Sequence, residues 1–302
     1  MQKSVSENGA ERAGFVAVVG RPNAGKSTLL NTLVGEKLAM VSKKAQATRK
    51  RMNIIVSHGE SQIVFVDTPG IHEREKLLNQ FMLEEALKAI GDADMVLFLA
   101  PVTDSTREYE KFLQLEEARK RPHILVLTKT DECDNATLLS KMEEYSKYQD
   151  RFVSLIPFSS KRSGDARMLL DEVSRHLPEH PFLFEEDMIT TESVRDIYRE
   201  LIREAIFEKM SDEIPYESDV VIDKVEESDD IDRVFATIVT EKETQKRMII
   251  GKRAESIRRV GSYARKLMEE FSGRKIYLDL HVVVRKGWSK NRDSLEKIGY
   301  VF

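Results

Sequence analysis

A single cysteine in 302 residues, Cys133, leaves nothing for an internal disulfide, which excludes a bridged scaffold and points to a reducing cytoplasm. Aromatic residues are only 7% of the chain, with one tryptophan, Trp288. No apolar run approaches the ~18 residues that a membrane-spanning helix needs. The first residues, Met1-Gln2-Lys3-Ser4-Val5-Ser6-Glu7-Asn8, are polar and lack the apolar core of a signal peptide. Six histidines lie scattered without metal-ligand spacing, which argues against a structural zinc site. Large net charge is absent too: the total is −4. The distribution is uneven, however. Between residues 242 and 292 there are fifteen Lys or Arg against five acidic residues, an asymmetry more informative than the sum. With 41% hydrophobic and 33% charged residues, the chain is a globular protein long enough for two domains.

The most informative stretch is Gly20-Arg21-Pro22-Asn23-Ala24-Gly25-Lys26-Ser27, followed by Thr28. It fits Gly, four free positions, Gly-Lys and then Ser or Thr, the pattern of a phosphate-cradling loop. Residues 14–19 before it form an apolar, β-branched run that reads as a buried strand. After it Leu29, Leu30 and Leu33 recur at helical spacing. In that context glycines turn backbone N–H groups inward and the helix N-terminus adds partial positive charge. Lys26 is then placed to reach the β- and γ-phosphates, and the Ser27 hydroxyl to bind Mg²⁺.

Downstream, residues 42–51 are basic and aperiodic, hence a loop. Strands are expected at 53–57 and 62–66 around a His58-Gly59-Glu60 turn. The second runs into Asp67-Thr68-Pro69-Gly70, where Asp67 would hold Mg²⁺ through water and the Gly70 N–H would contact the γ-phosphate. Further buried strands are expected at 95–100, 124–128 and 152–158. The 124–128 strand ends in Thr128-Lys129-Thr130-Asp131. A carboxylate accepts two hydrogen bonds side by side, so Asp131 matches the N1–H and 2-amino edge of guanine, which adenine lacks, while Lys129 lies along the base. Ser159-Ser160-Lys161 follows the last strand and offers a backbone N–H to the guanine O6.

In the second half, a helix is expected over 194–210, with Thr191 or Ser193 as its N-cap and Val194, Ile197, Tyr198, Leu201, Ile202, Ala205 and Ile206 on one face. Strands follow at 220–225 and 234–240. The stretch Ile250-Gly251-Lys252-Arg253-Ala254 then resembles the Ile-Gly-x-x-Gly loop of KH domains, which clamps single-stranded nucleic acid. With a helix at 255–271 and a strand at 276–284, the order is that of a type II KH domain. Lys252 and Arg253 fill the variable places, where cations meet phosphates; Arg258 and Arg259 are the next candidates. Ala254 stands where the second glycine belongs. Trp288 is open between stacking on a base and packing.

Taken together, Gly20–Ser27, Asp67–Gly70, Thr128–Asp131 and Ser159–Lys161 resemble the translation-factor-like GTPases. The wording Gly-Arg-Pro-Asn-Ala-Gly-Lys-Ser, Lys-Ala-Gln-Ala-Thr-Arg and Asp-Thr-Pro-Gly-Ile-His is similar to the bacterial Era family, over nearly the whole chain from about Ala13. The resemblance implies an α/β P-loop GTPase domain, with a mostly parallel sheet flanked by helices, followed by a smaller α+β type II KH domain. It implies a monomeric, cytoplasmic, Mg²⁺-dependent GTPase that binds 16S rRNA near its 3′ end and acts in maturation of the 30S subunit. Peripheral contact with the inner membrane also comes with the resemblance, although no amphipathic helix argues for it. Thr48 lines up with the threonine that completes Mg²⁺ coordination.

Three departures bear on mechanism. Ala47 replaces the first Thr of the usual Thr-Thr-Arg, and Thr128 replaces the Asn of Asn-Lys-x-Asp, which predicts weaker guanine affinity. Ile71 follows Gly70, where Ras-like enzymes carry a water-orienting Gln; it can neither donate nor accept, so hydrolysis should be slow. Asn23 is the candidate to hold a potassium ion beside the phosphates. The domains are expected at 1–177, with a disordered start at about 1–12, and at 191–302, joined by a linker at 178–190. Two alternatives stay open. One is a tRNA-modification GTPase, which would need a folate-type N-terminal domain, whereas the loop here begins at residue 20. The other is an RNA-binding protein whose nucleotide domain is structural, against which Lys26, Ser27, Asp67 and Asp131 speak.

Overall fold

The computed structural model describes residues 10–35, 38, 48–69, 77–211 and 213–300. The chain divides into two compact units, both discontinuous in sequence. The first comprises Met1–Glu36, Arg51–Thr68 and Glu85–Thr191, and the second Lys37–Lys50, Pro69–Glu84 and Glu192–Phe302.

The first unit runs β1 (Arg12–Val19), α1 (Lys26–Val34), β2 (Met52–His58) and β3 (Ser61–Asp67), then the end of α2 (Leu77–Asp92). It continues through β4 (Met95–Pro101), α3 (Arg107–Gln114), α4 (Glu116–Arg119), β5 (His123–Thr128), α5 (Asn135–Ser146), β6 (Ser154–Pro157) and α6 (Asp165–His176). The strands form one six-stranded sheet in the order β2-β3-β1-β4-β5-β6. Among the described residues the β2–β3 hairpin is the antiparallel pair of this sheet; Val16 pairs with Phe65 on one side and with Met95 on the other. Strands β3, β4 and β5 are buried at every position, as expected where helices cover both faces of a parallel sheet.

This topology positions the site. The phosphate loop follows β1, Asp67 ends β3, Thr128 ends β5, and Ser159 follows β6. All four motifs therefore lie at the carboxyl ends of parallel strands. The strand order reverses at β1, the crevice where open α/β sheets bind ligands.

Residues 178–190, expected as a linker, run instead along the hairpin of the first unit. The Ile55 N–H donates to the Ile189 carbonyl at 2.9 Å and the Thr190 hydroxyl to the Asn53 carbonyl at 2.6 Å. Gln62 Oε1 accepts the N–H groups of Leu183 and Phe184 at 2.8 and 2.9 Å. The edge strand and one buried amide thus give this segment's backbone groups the partners that a free linker would take from water.

The second unit contains α7 (Val194–Lys209), β7 (Ser218–Glu226), β8 (Asp232–Thr240), α8 (Glu243–Ile250), α9 (Glu255–Ser272), β9 (Ile276–Val284) and α10 (Arg292–Lys297). Its sheet has the order β7-β8-β9, antiparallel and then parallel, the type II KH arrangement. Ser193 is the N-cap of α7, its hydroxyl accepting the Asp196 N–H at 3.2 Å. Of the face read from the sequence, Ile197 to Ile206 are buried, whereas Val194 in the first turn is 47% exposed. The first turns of α2 count in this unit: Leu78, Phe81 and Met82 pack with Val239, Trp288, Leu295, Ile298 and Tyr300. Trp288 is wholly buried there, which excludes the base-stacking role. Among the described residues no helix is long and apolar enough to cross a membrane.

Candidate functional site

The phosphate loop adopts a backbone that its sequence makes possible. At Gly20 a Cβ would lie 2.8 Å from the Leu99 carbonyl oxygen, so a side chain has no room. Asn23 and Gly25 hold left-handed φ values of 64° and 98°, a region open to glycine and tolerated by asparagine. Gly25 is the N-cap of α1, with no side-chain cap bond and no acidic residue in the first turn. That leaves the positive end of the helix for an anion.

Lys26 is 7% exposed, and its Nζ donates to the carbonyls of Gly20 and Arg21 at 3.1 and 3.3 Å. Burial pushes its pKa down, opposed by the Asp67 carboxylate. The Ser27 hydroxyl donates to Asp67 Oδ2 at 3.3 Å. An ammonium held in a carbonyl-lined loop, with a hydroxyl beside a carboxylate, is the donor set that nucleotide phosphates and Mg²⁺ take. These residues fit that ligand pair.

The side chains of two of the residues read as nucleotide-binding have partners within the protein. Arg21, read as a nucleotide residue, is braced by Asp104: its Nη2 donates to Oδ1 at 2.6 Å and its Nε donates to Oδ2. Asp104 raises the Arg21 pKa. The sequence offered one signal for Asp104, a polar turn just after β4 at the same sheet edge. Thr68, also read as a nucleotide residue, is fully buried and donates from its hydroxyl to the Val18 carbonyl at 2.7 Å. Its side chain holds β1 to the end of β3. Pro69 is buried and Thr48 half-buried, both in segments of the second unit. Gly70, Ile71 and Ala47 lie outside the described residues.

The residues expected to read the base come from the end of β5 and the turn after β6. Lys129 has φ 61°, and the Thr128 hydroxyl donates to the Ala24 carbonyl at 2.7 Å. The threonine that replaces asparagine thus still ties this segment to the phosphate loop. Asp131 accepts from Lys161 Nζ at 2.5 Å and from the Ser159 hydroxyl at 2.7 Å. The ammonium first and the hydroxyl second pull the Asp131 pKa down to about 2, so the carboxylate stays charged as pH falls until that value is reached. A carboxylate has about four acceptor sites, which leaves capacity for the two guanine donors. Ser159 is positioned by its own N–H, which donates to Asp165 Oδ2 at 2.8 Å. Ser160 is exposed on the same turn.

In the second unit, Gly251 has φ 72° and a Cβ there would meet Ser256 Oγ at 2.4 Å, so only glycine fits. Lys252 and Arg253 are exposed in the short turn that follows, and Ile250 is half-buried. Arg258 and Arg259 are exposed on the first turns of α9, with Arg259 Nη2 donating to the Lys209 carbonyl at 3.3 Å. Arg253 and Ala254 hold consecutive left-handed φ values of 51° and 61°. For a residue with a Cβ that conformation costs about 1–2 kcal/mol, partly offset for glycine by about 0.4–1 kcal/mol of unfolded-chain entropy. Ala254→Gly is therefore expected to stabilise the protein by about 0.5 kcal/mol, seen as a small rise in melting temperature. A fall on melting would contradict the strain argument.

Residues 15–129 match the family described as 50S ribosome-binding GTPase, and residues 213–289 match the KH domain family. GTPase Era of Helicobacter pylori (strain ATCC 700392 / 26695) is 51% identical over 295 residues, 96% of this chain and 97% of the relative. GTPase Era of Campylobacter concisus (strain 13826) is 49% identical over 290 residues, 96% and 100% respectively. Among solved structures, Aquifex aeolicus Era bound to GDP and aluminium fluoride superposes with a TM-score of 0.91 at 32% identity, covering 96% of this chain and 100% of that one. Era in complex with MgGDPNP and nucleotides 1506–1542 of 16S ribosomal RNA also gives 0.91, at 31% identity over 97% and 100%.

Proposed function

The chain belongs to the Era family of GTPases, and on that premise we propose that it is a slowly hydrolysing, Mg²⁺-dependent GTP switch that binds 16S rRNA near its 3′ end in maturation of the small ribosomal subunit. The observation that carries the reading is the 2.7 Å bond from the Thr128 hydroxyl to the Ala24 carbonyl. It ties the base-reading segment to the phosphate loop, so that Lys26 and Asp131 address one nucleotide. The relative held with MgGDPNP and a 16S fragment supports the RNA class. From it we extend the partner to the 30S subunit and the location to the cytoplasm, with peripheral inner-membrane contact as a further property of the family resemblance.

In this mechanism Asp131 selects guanine, Lys129 lies along the base, and Lys26 with the first N–H groups of α1 holds the β- and γ-phosphates. Ser27, Thr48 and Asp67, the last through water, are the residues that would hold Mg²⁺. When bound, the ion neutralises charge that builds on the phosphate oxygens. Gly70, outside the described residues, is the residue whose N–H the motif would aim at the γ-phosphate. Water is the nucleophile and no covalent intermediate forms; the protein contributes position and electrostatics. Ile71 offers no group to orient that water, which makes turnover slow. Asn23, exposed in the loop at φ 64°, would hold a potassium ion, which would supply positive charge beside the phosphates.

The test is competition against labelled GDP, with hydrolysis measured in potassium and in sodium buffer. ATP is expected to leave GDP bound, and potassium to raise turnover about tenfold, equivalent to ~1.4 kcal/mol of barrier. Displacement by ATP as strong as by GTP defeats the guanine assignment. Equal turnover in the two salts removes the role of Asn23 and potassium.

A further inference from the structure

The second unit holds a buried charge cluster that neither the RNA loop nor the nucleotide residues use. Arg49, Asp219, Arg203 and Glu200 are all buried. Arg49 Nη1 donates to Asp219 Oδ2 and to the Ser218 carbonyl, both at 2.9 Å. Its Nη2 donates to the carbonyls of Pro215 and Tyr216 at 3.0 and 3.1 Å. The Tyr300 hydroxyl donates to the same Asp219 Oδ2, Arg203 Nε lies 3.5 Å from Oδ1, and Arg203 Nη1 donates to Glu200 at 2.7 Å. Burial by itself would raise the Asp219 pKa, but the guanidiniums of Arg49, Arg203 and Arg199 outweigh it and hold the carboxyl well below its ordinary range.

Such a cluster is a poor source of stability. Desolvating these charges offsets most of their attraction, and apolar residues of the same volume often do as well or better. What the cluster supplies is an all-or-none fit, because losing one member leaves the others buried without their partner. That is the behaviour of a contact with two states.

Tyr300 joins two separate segments at this cluster. Its hydroxyl lies on the carboxylate that grips Arg49, the residue directly after Thr48. The Lys50 ammonium sits 4.8 Å over its ring and donates to the Gly299 carbonyl. From the other segment Phe81 meets the ring edge-on, 5.1 Å between centroids at 87°. Phe81 belongs to α2, the first described element after Asp67, Thr68 and Pro69. In GTPases the segments at these two chain positions are ordered by the γ-phosphate with its Mg²⁺ and released on hydrolysis.

We propose that Tyr300 is a positioning residue that anchors both nucleotide-responsive segments in the RNA-binding unit, so that the bound nucleotide sets RNA affinity through it. The inference rests on the reading of the chain as a GTP-dependent RNA binder. Tyr300→Phe removes only the hydroxyl, and Phe81→Leu only the ring contact. Arg49→Lys keeps the charge but loses the fork that spans four acceptors.

The test uses the full chain, GDP, GDPNP and an RNA with nucleotides 1506–1542 of 16S rRNA. RNA affinity is measured in each nucleotide state, and nucleotide affinity with and without RNA, which must give the same ratio by reciprocity. The unmodified chain is expected to show a ratio of about fivefold or more. Tyr300→Phe is expected to bring it below about twofold while nucleotide affinity without RNA stays within the same margin. Arg49→Lys and Phe81→Leu should each lower the ratio. A merely structural residue would change melting temperature and leave the ratio alone. A retained ratio in folded Tyr300→Phe overturns the proposal, as does a ratio of one in the unmodified chain. Failure of the two-component titrations, with no GDPNP or no RNA bound, would instead overturn the underlying reading and this one with it.

Discussion

Asp131→Asn is expected to weaken GTP binding by about two to four orders of magnitude and to make the xanthine nucleotide the better ligand. The carboxylate accepts from both guanine donors, and hydrogen bonds to a charged group contribute about 1.5–3 kcal/mol each. Losing that pair amounts to ~3–5 kcal/mol. The asparagine amide sets a donor against the 2-amino group of guanine, whereas xanthine presents a carbonyl there and restores the match. The competing account makes Asp131 a solvated partner of Lys161, 2.5 Å away. Exposed pairs of that kind contribute about 0–1 kcal/mol, so it predicts a change under about fivefold. The two accounts differ by more than tenfold in one measurement. Titrating labelled GDP and xanthosine diphosphate onto the variant decides it: unchanged guanine affinity, or no gain for xanthine, rejects the base-reading role.

Lys252→Glu combined with Arg253→Glu is expected to weaken binding to a 16S 3′-end RNA by about a hundredfold near 0.1 M salt while leaving GTP hydrolysis without RNA unaltered. Both side chains are exposed in the turn that Gly251 opens. A single-stranded phosphate contact contributes ~0.7 to the salt slope, so two lost contacts should flatten it by about 1.4. Repulsion from the new carboxylates adds to the loss. Titrations at several salt concentrations read both numbers. Affinity and slope equal to those of the unmodified chain would falsify the RNA-clamp assignment.

The nucleotide motifs were legible because each one packs its chemistry into consecutive residues flanked by a buried strand. Several helices were not. In α5 only Tyr145 is buried over twelve residues, and α3 buries only Tyr109 and Phe112, so neither presents an apolar stripe long enough to read at helical period. Strand β1 also begins earlier than its apolar run, at Arg12, because Ser61 at the start of β3 pairs with it. The brace on Arg21 was not legible for a similar reason: Asp104, its partner, lies 83 residues away.

The sequence by itself determined the ligand class and the order of elements, since glycine spacing, a terminal carboxylate and the periodicity of apolar residues act within one or two turns of chain. Only the tertiary structure decided which side chains turn inward to serve the fold. Thr68 turned inward to Val18, Trp288 became core, and Arg49 met Asp219 across 170 residues. The reason is physical: a buried polar group must find its partner wherever the fold brings one, and separation along the chain carries no record of that choice.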